Sequence, residues 1–173
     1  MPQLTKQDMH RLFSLLNDEL RDDAVVGELY LVGGAVMCLV FGARGSTHDI
    51  DAFFLPAHKV RDAAARVTAK AGVSDKWLND AVKGFLSDKG SFDAYLELSN
   101  LRVFCARPDY LLAMKCLAMR IGAEFHDEGD VRYLLRTLNI ETNEEALAVI
   151  TQYYPLERFP QKTLFALQEI LAR

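Results

Sequence analysis

Asp49 and Asp51, one residue apart and with fourteen residues between Gly34 and Asp49, form with the pair Gly33-Gly34 the spacing in this chain best suited to chemistry. Side chains at i and i+2 of a β-strand share a face, roughly 6.5–7 Å apart. Asp49 and Asp51 are therefore expected to project together, while Ile50 and Ala52 turn into the core. Two carboxylates so placed suit Mg²⁺, which binds through one or two carboxylates, several waters and the phosphates of a substrate. The chemistry implied is nucleotidyl transfer, in which metal ions, two in the usual arrangement, polarise the α-phosphate of a nucleoside triphosphate and an incoming hydroxyl displaces pyrophosphate.

The glycines supply the other half. They end a short apolar run that reads as a strand, Leu29 to Val32, and a pair without side chains lets the backbone turn sharply and a ligand approach it. A helix opening directly after them would aim free N–H groups at phosphate. Arg44, Ser46 and Thr47 stand within reach of the aspartates: Arg44 as a guanidinium fork on the triphosphate, Ser46 or Thr47 as a hydroxyl donor to a phosphate oxygen. The plainer reading makes Arg44 a surface residue, Thr47 a choice for β propensity and Gly33-Gly34 only the end of a strand. His48 reads as structural.

Taken in order, Gly33-Gly34, a helix, Arg44, Thr47 and Asp49-Ile50-Asp51 resemble the glycine pair and Asp-x-Asp signature of the DNA polymerase beta-like nucleotidyltransferase superfamily. The Arg-x-x-Thr-x-Asp-x-Asp form is similar to its AbiEii-type branch, known for toxins of toxin–antitoxin systems. Further along, Leu111-Leu112-x-x-Lys115 with Arg120, ahead of Asp127-x-x-Asp130, again resembles that branch. The resemblance implies an α+β fold, Mg²⁺, and transfer of a nucleoside monophosphate from an NTP to an RNA such as a tRNA 3′ end, or to a protein hydroxyl. Lys115 would act on the nucleotide, and a toxin would have a cognate antitoxin. Such enzymes usually carry a third carboxylate on a strand next to the Asp-x-Asp strand, as metal ligand and general base. Strand alternation over 92–97 makes Glu97 the first choice and Asp93 the second, on a polar face shared with Tyr95. The rival reading is a non-catalytic protein of the same fold that binds a nucleotide or a partner, as an antitoxin or regulatory subunit would. A third carboxylate beside Asp49 and Asp51 discriminates between the two. A weaker third reading is transfer to a small molecule, as in aminoglycoside-modifying enzymes.

Composition sets the bounds. The chain has 173 residues, half of them hydrophobic and a quarter charged, which fits an ordinary globular protein with a real core. A formal charge of −4 argues against a broadly basic protein that coats nucleic acid. The three cysteines, Cys38, Cys105 and Cys116, lack zinc spacing and read as buried thiols in a reducing compartment. No apolar run approaches the roughly 18 residues of a membrane span, nor does the N-terminus resemble a signal peptide, so a cytoplasmic protein is expected.

The elements that must position these residues can be read from periodicity. A helix is expected over 5–21, with Thr5-x-x-Asp8 as a capping pattern and Leu12, Phe13, Leu15, Leu16 and Leu20 in its buried stripe. The strand–helix–strand unit comes next, then a helix from Pro56 to Lys70 ended by Gly72 and a helical stretch over 74–86, where Trp77 and Asn79 could stack on and read a base. A hairpin is expected around Ser99-Asn100. From Arg107 onward the pattern is helical, with Pro108 in a first turn, Thr142 as a cap and Pro160 opening the last helix. The division expected is an α/β core over 1–106, a small mixed sheet flanked by helices, and a helical C-terminal subdomain over 107–173, with substrate in the cleft between them. Lys115 interrupts an apolar helix and needs a phosphate or an acidic partner; otherwise it snorkels while Arg120 pairs with Asp127 or Asp130. The run His126-Asp127-Glu128-Gly129-Asp130 could suggest a metal loop but lacks the ligand spacing of a calcium hand, and Asp127 reads better as a helix cap.

Overall fold

The computed structural model describes residues 3–121 and 127–172; His126 of the metal-loop reading lies outside them. The fold is α+β: among the described residues there are seven α-helices, a mixed five-stranded sheet and a small two-stranded one. The chain divides into two compact units, the first holding the chain through Gly84 with Phe92–Ala106, the second holding Phe85–Ser91 and everything from Arg107 onward.

The first unit begins with β1 (Leu4–Thr5) and α1 (Lys6–Asp22). The capping box forms as expected: Asp8 N donates to Thr5 Oγ1 and Thr5 N to Asp8 Oδ2, which satisfies two otherwise orphaned N–H groups. Leu12, Phe13, Leu16 and Leu20 of the expected α1 stripe are buried, and Leu15 is half-buried at its edge. β2 (Gly27–Val32), α2 (Gly34–Leu39), β3 (Ser46–Thr47), β4 (Ile50–Leu55) and α3 (Ala57–Ala71) follow, then β5 (Leu78–Asn79), β6 (Phe92–Glu97) and β7 (Leu101–Ala106). The large sheet has the order β5-β4-β2-β7-β6. In it β2 runs antiparallel to β4 and parallel to β7, β5 runs parallel to β4, and β6 antiparallel to β7. The small sheet pairs β1 with β3, Leu4 opposite Thr47, and ties the loop before β4 to the start of α1.

Leu29, Leu31, Ile50, Ala52, Phe54, Val103 and Cys105 are buried on the sheet face that α1 and α3 cover. The opposite face carries aromatic rings. Tyr30 stacks on Phe104 with centroids 4.9 Å apart and meets Phe53 and Phe92 at 5.8 and 5.2 Å.

In the second unit, α4 (Pro108–Leu117), α5 (Asp127–Thr137), α6 (Asn143–Ile150) and α7 (Gln161–Ala172) form the helical part. Phe85–Ser91 belongs to it because tyrosines hold that loop. Ser87 N donates to Tyr110 Oη, Ser87 Oγ to the Tyr153 carbonyl, and Tyr154 Oη to the Phe85 carbonyl. A Cβ on Gly90 would come within 2.5 Å of the Tyr110 ring, so only glycine fits there. No helix among the described residues is long and apolar enough to cross a membrane.

Two expectations fail. Residues 74–86 are not a continuous helix but a turn, the short strand β5 and a 3-10 turn over Ala81–Phe85. Side chains here bond their own backbone, Ser74 Oγ accepting from Lys76 N and Asn79 Oδ1 from Ala81 N, and such bonds compete with helix formation. In β6 the simple alternation also breaks, because the pairing with β7 shifts between Ala94 and Leu96. Such a bulge places an extra residue on one strand and exchanges the faces of the residues beyond it. Asp93 lies opposite Cys105 and Glu97 opposite Arg102, so the two carboxylates face opposite sides of the sheet.

Candidate functional site

β2 and β4 meet at Val32 and Asp51, which are register partners, so the turn leaving β2 falls beside the aspartates. Gly33 takes φ 70° and ψ −149°, a conformation that L-residues with a Cβ rarely adopt. It lies against Asp51, whose Oδ2 is 3.1 Å from the point where a Cβ on residue 33 would stand. The same point on residue 34 is 2.7 Å from Arg44 Nη1 and 2.9 Å from Thr47 Oγ1. The two glycines therefore let a carboxylate, a guanidinium and a hydroxyl close on one turn of backbone.

β4 alternates as its sequence requires. Ile50, Ala52 and Phe54 are buried, whereas Asp51 and Phe53 are half-buried on the other face. Asp49 precedes the first strand residue and is also half-buried. Thr47, itself buried, donates from Oγ1 to the Asp49 carbonyl at 3.2 Å and so fixes the approach to the strand. Asn79 on β5 is the register partner of Asp51, and its Nδ2 donates to Asp49 Oδ2 at 2.9 Å. Burial pushes the Asp49 carboxyl above its ordinary pKa, against the opposing pull of His48 and of the Asn79 hydrogen bond. Among the described residues Asp49 is in no ion pair; its one cationic neighbour is His48, and the carboxylate stands half-desolvated.

Glu97 does not belong to this site. It shares a row of the sheet with Arg102, Glu28 and Leu55, whereas Asp51 shares one with Val32. Three strand spacings across and four residues along separate it from Asp51, about 14 Å and about 13 Å. It is largely exposed and pairs with Arg102 at 3.5 Å. Asp93 fares no better: its row runs through Cys105 and Leu31 to Ala52, on the face opposite Asp51. Among the described residues no group of three or more His, Cys, Asp or Glu side chains is placed to hold a metal ion.

The donor set of Asp49 and Asp51 nevertheless fits one Mg²⁺, which needs no more than two protein carboxylates when water and phosphate complete its shell. The half-buried Asp49, held by one amide and in no ion pair among the described residues, is the observation that favours it. A second ion, expected from the sequence, would have only these same two carboxylates to share. Ser46, expected as a phosphate donor, donates instead to Gln3 Oε1 between the small-sheet strands. Thr47 spends its proton on the Asp49 carbonyl, so both hydroxyls shape the loop.

Trp77 is a core residue. It is 1% exposed and donates from Nε1 to the Ala64 carbonyl at 3.2 Å, which leaves no face for a base. Its neighbour Asn79 is the site residue that the sequence pattern misplaces. The available signal is a bulky pair, Trp77-Leu78, bounded by Ser74 and Asp80, which suits a short buried strand as well as a helix.

In the second unit Lys115 finds its partners locally. Nζ lies 2.8 Å from Asp130 Oδ2 and 3.5 Å from Asp127 Oδ1, with the side chain 11% exposed. Asp127 also accepts from Arg120 N and Nε, each at 2.9 Å. Burial alone would raise the Asp127 pKa, but the Arg120 hydrogen bonds and the Lys115 charge outweigh it and hold the carboxyl below its ordinary range.

No protein-family model matches this chain, and no curated protein or solved structure does either.

Proposed function

We propose that the first unit binds a Mg²⁺–nucleoside triphosphate at Gly33-Gly34, Arg44, Asp49 and Asp51 and transfers its nucleoside monophosphate to a hydroxyl. The observation that carries this reading is the closure of Asp51, Arg44 and Thr47 onto a glycine pair whose conformation and lack of Cβ make room for it. Asp49 and Asp51 would hold the ion, which when bound supplies charge to polarise the α-phosphate. Arg44 would steady the phosphates as a planar fork, and the bare glycine backbone would let them come close. The acceptor oxygen forms a bond to the α-phosphorus, the bond to the bridging oxygen breaks, pyrophosphate leaves and the hydroxyl proton passes to solvent. The order of the glycine pair, Arg44, Thr47 and the Asp-x-Asp motif supports, by resemblance, a nucleotidyltransferase of the AbiEii type. By that resemblance the acceptor is an RNA such as a tRNA 3′ end or a protein hydroxyl, and a cognate antitoxin is the expected partner of a toxin. Lys115, assigned to the nucleotide by resemblance and by its place in an apolar helix, is read here as the cation of its own unit's acidic pair.

One observation favours the second reading, nucleotide binding without turnover. The strand beside β4 presents an amide, Asn79, next to Asp51, and neither Glu97 nor Asp93 supplies a third carboxylate. A single experiment separates the two: α-labelled nucleoside triphosphates with Mg²⁺ and total cellular RNA or protein, beside an Asp49→Ala, Asp51→Ala double variant. Label moved by the wild type and lost in the variant supports transfer. Nucleotide bound without transfer leaves the binding module, and absence of both sinks the proposal.

A further inference from the structure

Asn79 combines three features beside the aspartates. It stands on the strand next to β4, in register with Asp51. Its Nδ2 donates to Asp49 Oδ2 at 2.9 Å. Its Oδ1 accepts from Ala81 N at 3.4 Å, which sets which way round the amide lies. Turning the amide over would place Oδ1 against a carboxylate oxygen and Nδ2 against an N–H group, two repulsive contacts in place of two attractive ones.

We propose that Asn79 is a positioning residue for metal: by holding Asp49 Oδ2 it fixes the carboxylate's rotation and leaves Oδ1 as the oxygen that meets the ion together with Asp51. This inference rests on the reading of Asp49 and Asp51 as the ligands.

The physical case is one of order. Asp49 precedes the first residue of β4, so strand pairing by itself does not fix its side chain, and the carbonyl bond from Thr47 secures only its backbone. A carboxylate outside the ladder has rotamers to lose when it binds an ion. A neutral amide removes that freedom in advance without bringing a third negative charge beside two others. Asn79 is in turn fixed at its backbone by the β4–β5 pairing and at its amide by Ala81. Its sequence neighbours are anchored as well: Trp77 O accepts from Ile50 N at 2.7 Å, and Asp80 is held by Arg61 at 2.6 Å and Lys83 at 2.7 Å. The donor is therefore mounted on a clamped segment.

The test is direct binding of Mn²⁺, a paramagnetic substitute for Mg²⁺, followed by electron paramagnetic resonance in the presence of a nucleoside triphosphate. The proteins compared are wild type, Asn79→Ala, Asn79→Asp and the Asp49→Ala, Asp51→Ala double variant. Removing an outer-shell partner of a metal ligand weakens metal binding by about ten- to a hundredfold. Asn79→Ala is expected to show that loss while its urea midpoint, measured without metal, confirms that it is folded. Asn79→Asp keeps the size of the side chain but sets a carboxylate oxygen in place of the N–H donor against Asp49 Oδ2, so it is expected not to restore the affinity that Asn79→Ala loses, and binding as tight as wild type would overturn the positioning role. If Asn79→Ala binds Mn²⁺ like wild type while the double variant does not, the positioning role is overturned and the metal reading stands. If wild type and double variant bind equally poorly, the metal reading falls and the positioning role with it.

Discussion

Asp51 Oδ2 lies 3.1 Å from the point that a Cβ on Gly33 would occupy, so the carboxylate and the strand-ending glycine are fitted to each other. Gly33 is constrained twice, by that approach and by φ 70°. Gly33→Ala is expected to cost about 1–3 kcal/mol for the strained backbone, and to lower affinity for a Mg²⁺–nucleotide by moving Asp51. Urea denaturation and equilibrium nucleotide binding measure the two effects separately. Gly34→Ala differs in kind. No positive φ strains residue 34, but the new Cβ meets Arg44 Nη1 at 2.7 Å and the buried Thr47 Oγ1 at 2.9 Å. The arginine tip can move, whereas Thr47 gives way only by loosening its bond to the Asp49 carbonyl. Stability is expected to fall by about 1–3 kcal/mol from this overpacking, and affinity for the triphosphate to fall with the displaced guanidinium. Unchanged stability in Gly34→Ala would argue against this account.

Asp49 sets stability against binding. Burial raises its pKa, so the native state holds the proton more tightly than the unfolded chain does. Stability contributed by this group therefore falls as pH rises from the ordinary 3.8 through the raised native value. At neutral pH the ionised carboxylate weighs against the fold. Asp49→Asn is expected to raise the urea midpoint at pH 7 in the absence of metal, since its amide oxygen still accepts from Asn79. The gain should vanish below the ordinary carboxylate pKa, where wild type is protonated as well. Mg²⁺ with a nucleotide is expected to stabilise the wild type and not the variant.

Trp77 offers an internal probe. With 1% exposure and its indole N–H on the Ala64 carbonyl, it is expected to fluoresce in the blue, resist acrylamide quenching, and remain unchanged when saturating nucleotide is added. A large quench on nucleotide binding would return the base-stacking role to this residue.

The features legible in the sequence are local ones. The Thr5-x-x-Asp8 cap, the α1 stripe, the glycine pair and the alternation of Asp51 with Ile50 and Ala52 each depend on residues within a turn or a strand of one another, and each forms. The third carboxylate is not legible, because its position depends on which strand lies beside β4. Sequence order makes β6 the natural choice, yet β2 and β7 stand between it and β4 while two-residue β5 takes the place. A bulge adds a second obstacle, since one extra residue in β6 exchanges the faces on which the assignment of Asp93 and Glu97 depends. Local pattern carries neither strand order nor a bulge.

Lys115 is where a functional and a structural role make opposite forecasts. Its ammonium is nearly buried between Asp127 and Asp130, whose side chains are 7% and 6% exposed. Lys115→Met would leave those carboxylates without their shared cation, and breaking a buried pair from one side costs about 3–5 kcal/mol. The urea midpoint at pH 7 is expected to fall accordingly. The loss should be largely recovered in Lys115→Met combined with Asp127→Asn and Asp130→Asn, where the buried charges are gone and the Arg120 guanidinium left behind is largely exposed to water. Asp127 supplies a pH signature. Its carboxyl is held below the ordinary range, so its contribution to stability is present above the ordinary pKa and is lost as pH falls through the lowered one. The penalty of Lys115→Met should accordingly shrink in acid, as the carboxylates protonate. Were the single variant as stable as wild type but devoid of transfer activity, the lysine would belong to the reaction and not to the packing of its own unit. The triple variant sharpens the distinction, because restored stability without restored transfer would likewise assign the lysine to the reaction, even if the single variant proves too unstable to assay.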